Sequence, residues 1–195
     1  MKPRTSTYGK TFKEVTVMDL SGQNLSALPD SIYKYPNLRK LILNHNRLTA
    51  LPADIAKRLS KLRLVDISFN DFTEIPAALM ALPKLRVLSA GHNHIKELPY
   101  TLPSSAISEL IIDHNDIDFL IPELLTGLTR FIASHNRINI GLIHGSLPNM
   151  KYVDLRHNPA IHFVDSISTC LPNARKAFLD PAPSSTLLPD GLQYY

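Results

Sequence analysis

Residues 38–52, Leu38-Arg39-Lys40-Leu41-Ile42-Leu43-Asn44-His45-Asn46-Arg47-Leu48-Thr49-Ala50-Leu51-Pro52, decide how this chain folds. Their pattern, L-x-x-L-x-L-x-x-N-x-L-x-x-L-P, returns along almost the whole sequence. The leading position falls at Val15, Leu38, Leu62, Leu85, Ile107, Leu128 and Met150, with separations of 23, 24, 23, 22, 21 and 22 residues. A period of about 20–29 residues with this spacing marks a solenoid in which each unit supplies one strand and a turn or short helix. Although 195 residues would accommodate two ordinary domains, a repeat array is quasi-one-dimensional and counts as one.

One unit shows why the pattern works. Alternate side chains of a strand face opposite ways. In residues 38–52, Leu41 and Leu43 therefore enter the core while Lys40, Ile42 and Asn44 face outward. The strands of successive units add to a parallel sheet at about 4.8 Å each, so seven give a sheet roughly 30 Å wide. The turn after each strand is buried and its backbone groups need partners. An asparagine amide is donor and acceptor at once and can bond to its own turn and the next. This assigns a structural ladder to Asn46, Asn70, Asn93, Asn115, Asn136 and Asn158. In the first repeat Gln23 stands at that place.

Crossing segments such as PADIAKRLSKL and PAALMALPKL have a proline suited to the first helical position and helix-tolerant residues after it. Short helices of one to three turns are expected there. Repeats five to seven are shorter and lose the Leu-Pro ending, which predicts tighter or irregular turns. The stretch LPYTLPSSAIS holds two prolines and reads as extended. Domain organisation follows: 1–14 a flexible amino-terminal lead or cap, 15–163 seven repeats, 164–180 a carboxy-terminal cap, and 181–195 an extended Pro/Ser-rich tail. Ala174, Ala177 and Leu179 fall at the core positions of an eighth strand.

Over roughly residues 15–163 the chain resembles the leucine-rich-repeat family. The endings Leu28-Pro29, Leu51-Pro52, Ile75-Pro76 and Leu98-Pro99 look like its intracellular class, found in signalling scaffolds. Asn158-Pro159, residues 161–170, Leu171-Pro172-Asn173 and Phe178-Leu179-Asp180 are similar to a cap of the phosphatase-regulator, spliceosomal and axonemal-dynein members. The Tyr-Arg pair usual in that cap helix is absent. The resemblance implies an α/β fold, a curved right-handed β-α superhelix with a parallel sheet on its concave side and short helices or turns on its convex side. It also implies a role in phosphatase regulation, spliceosomal assembly, ciliary or dynein attachment, or small-GTPase signalling.

Composition narrows the setting. No run of about 18 apolar residues occurs, so no transmembrane helix is expected, and the amino terminus lacks the apolar core of a secretory signal. Cys170 is the one cysteine. It cannot form an internal disulfide, which points to a reducing, intracellular compartment. The cytoplasm comes first, with cytoskeletal, nuclear and mitochondrial assemblies left open. The net charge of +4 is segregated: residues 34–63 hold eight Lys/Arg against one acid, and residues 64–126 hold three against nine.

Catalytic signatures are missing: no nucleophile elbow, phosphate-binding loop, HExxH or paired-cysteine motif. The expectation is a protein that is not an enzyme and needs no cofactor. Five repeats carry His-Asn, with His45, His92, His114, His135 and His157 just before the ladder asparagine; Phe69 and Gly22 take that place in the other two. A file of imidazoles at strand spacing could hold a metal or sense pH. A metal site, however, needs ligands that converge rather than stand in a row, and no metal is assigned.

The concave face is the candidate site. Its outward positions include Ile42, Leu64, Val87, Ile111 and Ile132, with Phe69 at the edge and Tyr152 at the far end. Contiguous exposed apolar residues mark interaction sites. Asp66, Ser89, Asp154 and Arg156, together with His114 and His135, complete a polar rim of the kind that surrounds an interface core. The expected function is a non-catalytic protein-protein interaction module, a scaffold subunit of a larger intracellular assembly that binds a protein partner on this face. Two alternatives stand beside it. One is an RNA-associated subunit of a ribonucleoprotein using the basic residues of 1–14 and 34–63. The other is a fragment of a bacterial leucine-rich effector.

Overall fold

A computed structural model describes residues 11–100, 107–138, 141–143, 146–158, 161–163 and 167–180. The first ten residues, the proline stretch 101–106, the tail 181–195, Ala160 and the side chain of Phe163 lie outside the described residues. Eight three-residue strands form one parallel sheet: β1 (Val17–Asp19), β2 (Lys40–Ile42), β3 (Leu64–Asp66), β4 (Val87–Ser89), β5 (Glu109–Ile111), β6 (Arg130–Ile132), β8 (Tyr152–Asp154) and β10 (Lys176–Phe178), in that spatial order. Each pairs with its neighbour in constant register, for example Leu41 with Val65 and Val65 with Leu88. A second, two-stranded sheet joins β7 (Gly141–Ile143) to β9 (Ile161–Phe163). These two strands follow the asparagine turns of the sixth and seventh repeats, two of the three units without a Leu-Pro ending.

The middle residue of every main strand points into the core. Met18, Leu41, Val65, Leu88, Leu110, Phe131, Val153 and Ala177 are all at most 3% exposed. Two residues further on, Leu20, Leu43, Ile67, Ala90, Ile112, Ala133, Leu155 and Leu179 are buried as well. One repeat alone could not cover these side chains; stacking supplies the missing wall. The convex side carries α1 (Ile55–Arg58), α2 (Ala77–Met80) and α3 (Ile167–Cys170), with 3-10 turns at Asp30–Lys34 and Pro122–Leu125. Pro76 stands at the cap position before α2 rather than inside its first turn. Its extended backbone closes the preceding segment, and a single turn bridges to the next strand.

The asparagine ladder ties the repeats together at their buried turns. Asn93 Nδ2 donates to the carbonyls of Ile67, Ala90 and Gly91 at 3.1, 3.1 and 3.2 Å, and its Oδ1 accepts the N–H of Phe72 at 3.0 Å. The other five repeat this with the preceding unit. Asn46 accepts two N–H groups, those of Gln23 and Leu25. At the far end Asp180 accepts the N–H of Asn158. Turns pinned at every step make the sheet a rigid platform, because buried polar groups left open would each cost free energy.

Candidate functional site: the concave face and its ring column

Register turns the outward side chains into two rows. The first runs Val17, Lys40, Leu64, Val87, Glu109, Arg130, Tyr152, Lys176. The second runs Asp19, Ile42, Asp66, Ser89, Ile111, Ile132, Asp154, Phe178. Leu64 and Val87 are direct neighbours in the first row, Ile111 and Ile132 in the second. Ile42 sits diagonally before Leu64, and Ile111 diagonally after Val87. The apolar residues thus form a zigzag band over strands β2 to β6, all of them half-buried. Charged and polar side chains (Lys40, Asp66, Ser89, Glu109, Arg130) alternate along its flanks.

At the far end the face satisfies itself. The Arg130 guanidinium lies 4.2 Å over the Tyr152 ring, and Tyr152 packs 5.4 Å from Phe178. Arg156 lies 4.8 Å over Phe178 and grips Asp154 with two bonds, Nε to Oδ1 at 3.0 Å and Nη2 to Oδ2 at 2.6 Å. Asp154 is only 5% exposed. The hydrogen bond to this carboxylate raises the pKa of Arg156 further. Asp154 therefore positions Arg156, and Arg156 is the group offered to solvent. Phe178 and Lys176, on the eighth strand, extend the face beyond the residues that spacing singles out.

Along one edge of the sheet the residues preceding the ladder asparagines stack as a continuous column. Ring centroids of His45, Phe69, His92, His114, His135 and His157 follow one another at 4.1, 4.0, 4.0, 4.2 and 4.1 Å, with planes tilted by 12–27°. Every one of these residues has a left-handed backbone, φ between 52° and 59°. That conformation is unusual for a bulky side chain. Here the backbone ladder enforces it: the N–H groups of His45, Phe69, His92, His114 and His135 donate to the next repeat at 3.1, 2.9, 2.8, 3.0 and 2.9 Å. The rings are held at one spacing by the same bonds that hold the strands. Gly22 fills the position ahead of His45 at φ +62° and leaves the column's first face open. Burial, and then the neighbouring His114, lower the pKa of His92; burial, His114 and His157 lower that of His135. Asp113 works in the opposite direction on both. Its Oδ2 stands 2.9 Å from His114 Nδ1 and 3.8 Å from His92 Nε2.

The opposite edge of the sheet is basic. Arg39, Arg63 and Arg86 precede three adjacent strands, and their backbones are bonded in sequence, Arg63 N–H to the Arg39 carbonyl and Arg86 N–H to the Arg63 carbonyl, each at 2.8 Å. All three side chains are exposed, and among the described residues none makes an ion pair. Counting charge by segment dilutes this cluster, because Arg86 lies in the acidic stretch. Aligning the repeats on their asparagines would have revealed it. Of the residues singled out from sequence, Ile42, Leu64, Asp66, Val87, Ser89, Ile111 and Ile132 share the open sheet, Phe69, His114 and His135 the column, and Tyr152, Asp154 and Arg156 the closed far end.

A family model described as leucine rich repeat matches residues 36–95. Among solved structures the chain is similar to the leucine-rich-repeat domain of a Shigella effector, at 24% identity and a TM-score of 0.65, covering 88% of this chain and 71% of that one. It is also similar to the leucine-rich repeat domain of APL1B, at 21% identity and a TM-score of 0.60, covering 79% of this chain and 46% of that one. The chain thus spans less than half of the latter. No curated protein matches it in sequence. Since 275 solved chains match the fold, likeness of shape selects no partner. The repeat spacing, the eight-stranded parallel sheet and these matches together show a leucine-rich-repeat fold.

Proposed function

We propose that this protein is a non-catalytic protein-interaction module whose concave face holds one extended segment of a protein partner within a larger assembly. The observation that carries the reading is the zigzag band of Ile42, Leu64, Val87, Ile111 and Ile132, half-exposed and contiguous over strands β2 to β6. Contiguous apolar surface on a soluble face is typical of interfaces, and the alternating charges on its flanks supply the rim that fixes register. The asparagine ladder presents this surface preformed, so little ordering cost falls on binding. The arginine edge favours a partner that carries acidic residues beside its apolar ones.

The experiment is capture of partners from native cells by the wild-type chain and by an Ile111→Glu/Ile132→Glu variant that melts at the same temperature. Partners lost only from the variant support the reading. Identical sets from both would move the binding site off the concave face. The second reading is a fragment of a bacterial leucine-rich effector. It keeps the same face and the same chemistry, and the captured partner distinguishes the two: a host protein for the effector, a subunit of a resident complex for the scaffold.

A further inference from the structure

A row of rings is not by itself a metal site, because its donors run parallel; at one rung of this column a carboxylate oxygen stands close to two of the rings. One potential ligand atom from each of His92, Asp113 and His114 lies within 4.8 Å of the other two. We infer that these three residues form a binding site for a divalent transition metal of the zinc type, a site separate from the partner-binding reading above. Two donors held by zinc at 2.0–2.2 Å in tetrahedral geometry stand about 3.4 Å apart. The carboxylate oxygen is 2.9 Å from one imidazole nitrogen and 3.8 Å from the other, on either side of that spacing. Two imidazoles with one carboxylate are a donor set that suits zinc and its neighbours rather than calcium or magnesium.

The carboxylate is placed there by the backbone. Asp113 leans over Gly91 in the adjacent repeat, and a Cβ on Gly91 would come 2.5 Å from Asp113 Oδ1 and 3.1 Å from its Cγ. In the other repeats the position of Asp113 holds Ser21, Asn44, Ser68, Gly91, Ser134 and Arg156, so a carboxylate against the column occurs at this rung and at no other of the seven. Side-chain exposures of 37%, 22% and 41% for His92, Asp113 and His114 leave an entry path and room for water to complete the coordination. Imidazole binds metal in the plane of its ring, whereas His92 and His114 now stack at 4.0 Å with 13° between planes. Loading the site swings the two rings apart and opens the column at that rung.

The test is calorimetric titration of the tag-free full chain with zinc chloride, comparing wild type with Gly91→Ala, Asp113→Asn, His92→Gln and, as a control outside the cluster, the exposed His94→Gln. Gly91→Ala retains every donor and only displaces the carboxylate. The expected result is one zinc ion per wild-type chain, with affinity weakened at least about ten-fold in the first three variants and unchanged in His94→Gln. Imidazole NMR signals of His92 and His114 should shift together on zinc addition. Absence of binding by the wild type overturns the proposal. So does wild-type affinity in both Gly91→Ala and Asp113→Asn, which would place the ion adventitiously on other histidines. Melting without zinc is measured first; Asp113→Asn, nearly isosteric, decides the matter should Gly91→Ala fail to fold.

Discussion

Replacing Asn93 by alanine has a cost that can be worked out bond by bond. The side chain gives hydrogen bonds to three carbonyls and takes one from the Phe72 N–H. Each carbonyl keeps another donor: Ile67 O retains Asn70 Nδ2, Ala90 O retains Asn115 Nδ2, and Gly91 O retains the N–H of Phe69. Only the Phe72 N–H has no second partner among the described bonds. One buried orphan donor costs about 1–3 kcal/mol, and three bonds lost from still-satisfied carbonyls about 0.5 kcal/mol each, for a total of about 2.5–4.5 kcal/mol. The assay is urea unfolding followed by circular dichroism, with the slope unchanged so that the midpoint reports stability. An exposed control, Thr73→Ala, should stay within about 0.5 kcal/mol of wild type. A loss below about 1 kcal/mol for Asn93→Ala would refute the reasoning, since the orphaned donor alone accounts for that much.

Three further outcomes are expected. Gly22→His adds a ring at a position where nothing lies within 4 Å of the new Cβ; a left-handed penalty of about 1–2 kcal/mol is offset by a stack of about 0.5–1.5 kcal/mol, so stability measured by urea unfolding should fall within about 1 kcal/mol of wild type. Cys170, fully buried, should react with a thiol reagent only as fast as the chain unfolds, so labelling in native buffer should be slow and rise with urea. Arg63→Glu/Arg86→Glu should leave the melting temperature unchanged, slow partner association and flatten its dependence on salt; capture that disappears on nuclease treatment of the lysate would instead make the basic edge an RNA contact.

The strands, the core positions and the asparagine ladder were legible because a regular period leaves one solution: each of the seven repeats must bury the same face. The file of histidines was legible too, but its contact geometry was not. The stack takes in Phe69 as a full member, with ring spacings of 4.1 and 4.0 Å to His45 and His92, because the backbone bonds at that position set the spacing regardless of the side chain. Lateral neighbours were harder to see. Leu64 and Val87 share a row with Glu109, while Ile111 and Ile132 share one with Asp66, so the apolar stripe is a zigzag. Asp154 faces the concave side as alternation requires, yet Arg156, two residues on, folds back over it, a contact that no spacing rule contains. The pairing of Gly91 with Asp113 depends on a side chain leaning across repeats, and its trace in the sequence is a glycine in one repeat beside an aspartate at the same position of the next.

The most direct measurement is equilibrium binding of a captured, purified partner to wild type, to Ile111→Glu/Ile132→Glu and to a convex-side control, Lys96→Glu. Charges placed on the two adjacent isoleucines at the β5–β6 end of the band should weaken binding at least about thirty-fold, with the control within about threefold of wild type. Equal affinity for the concave variant and the wild type, both shown to be folded, would contradict the assignment of the concave sheet as the binding site.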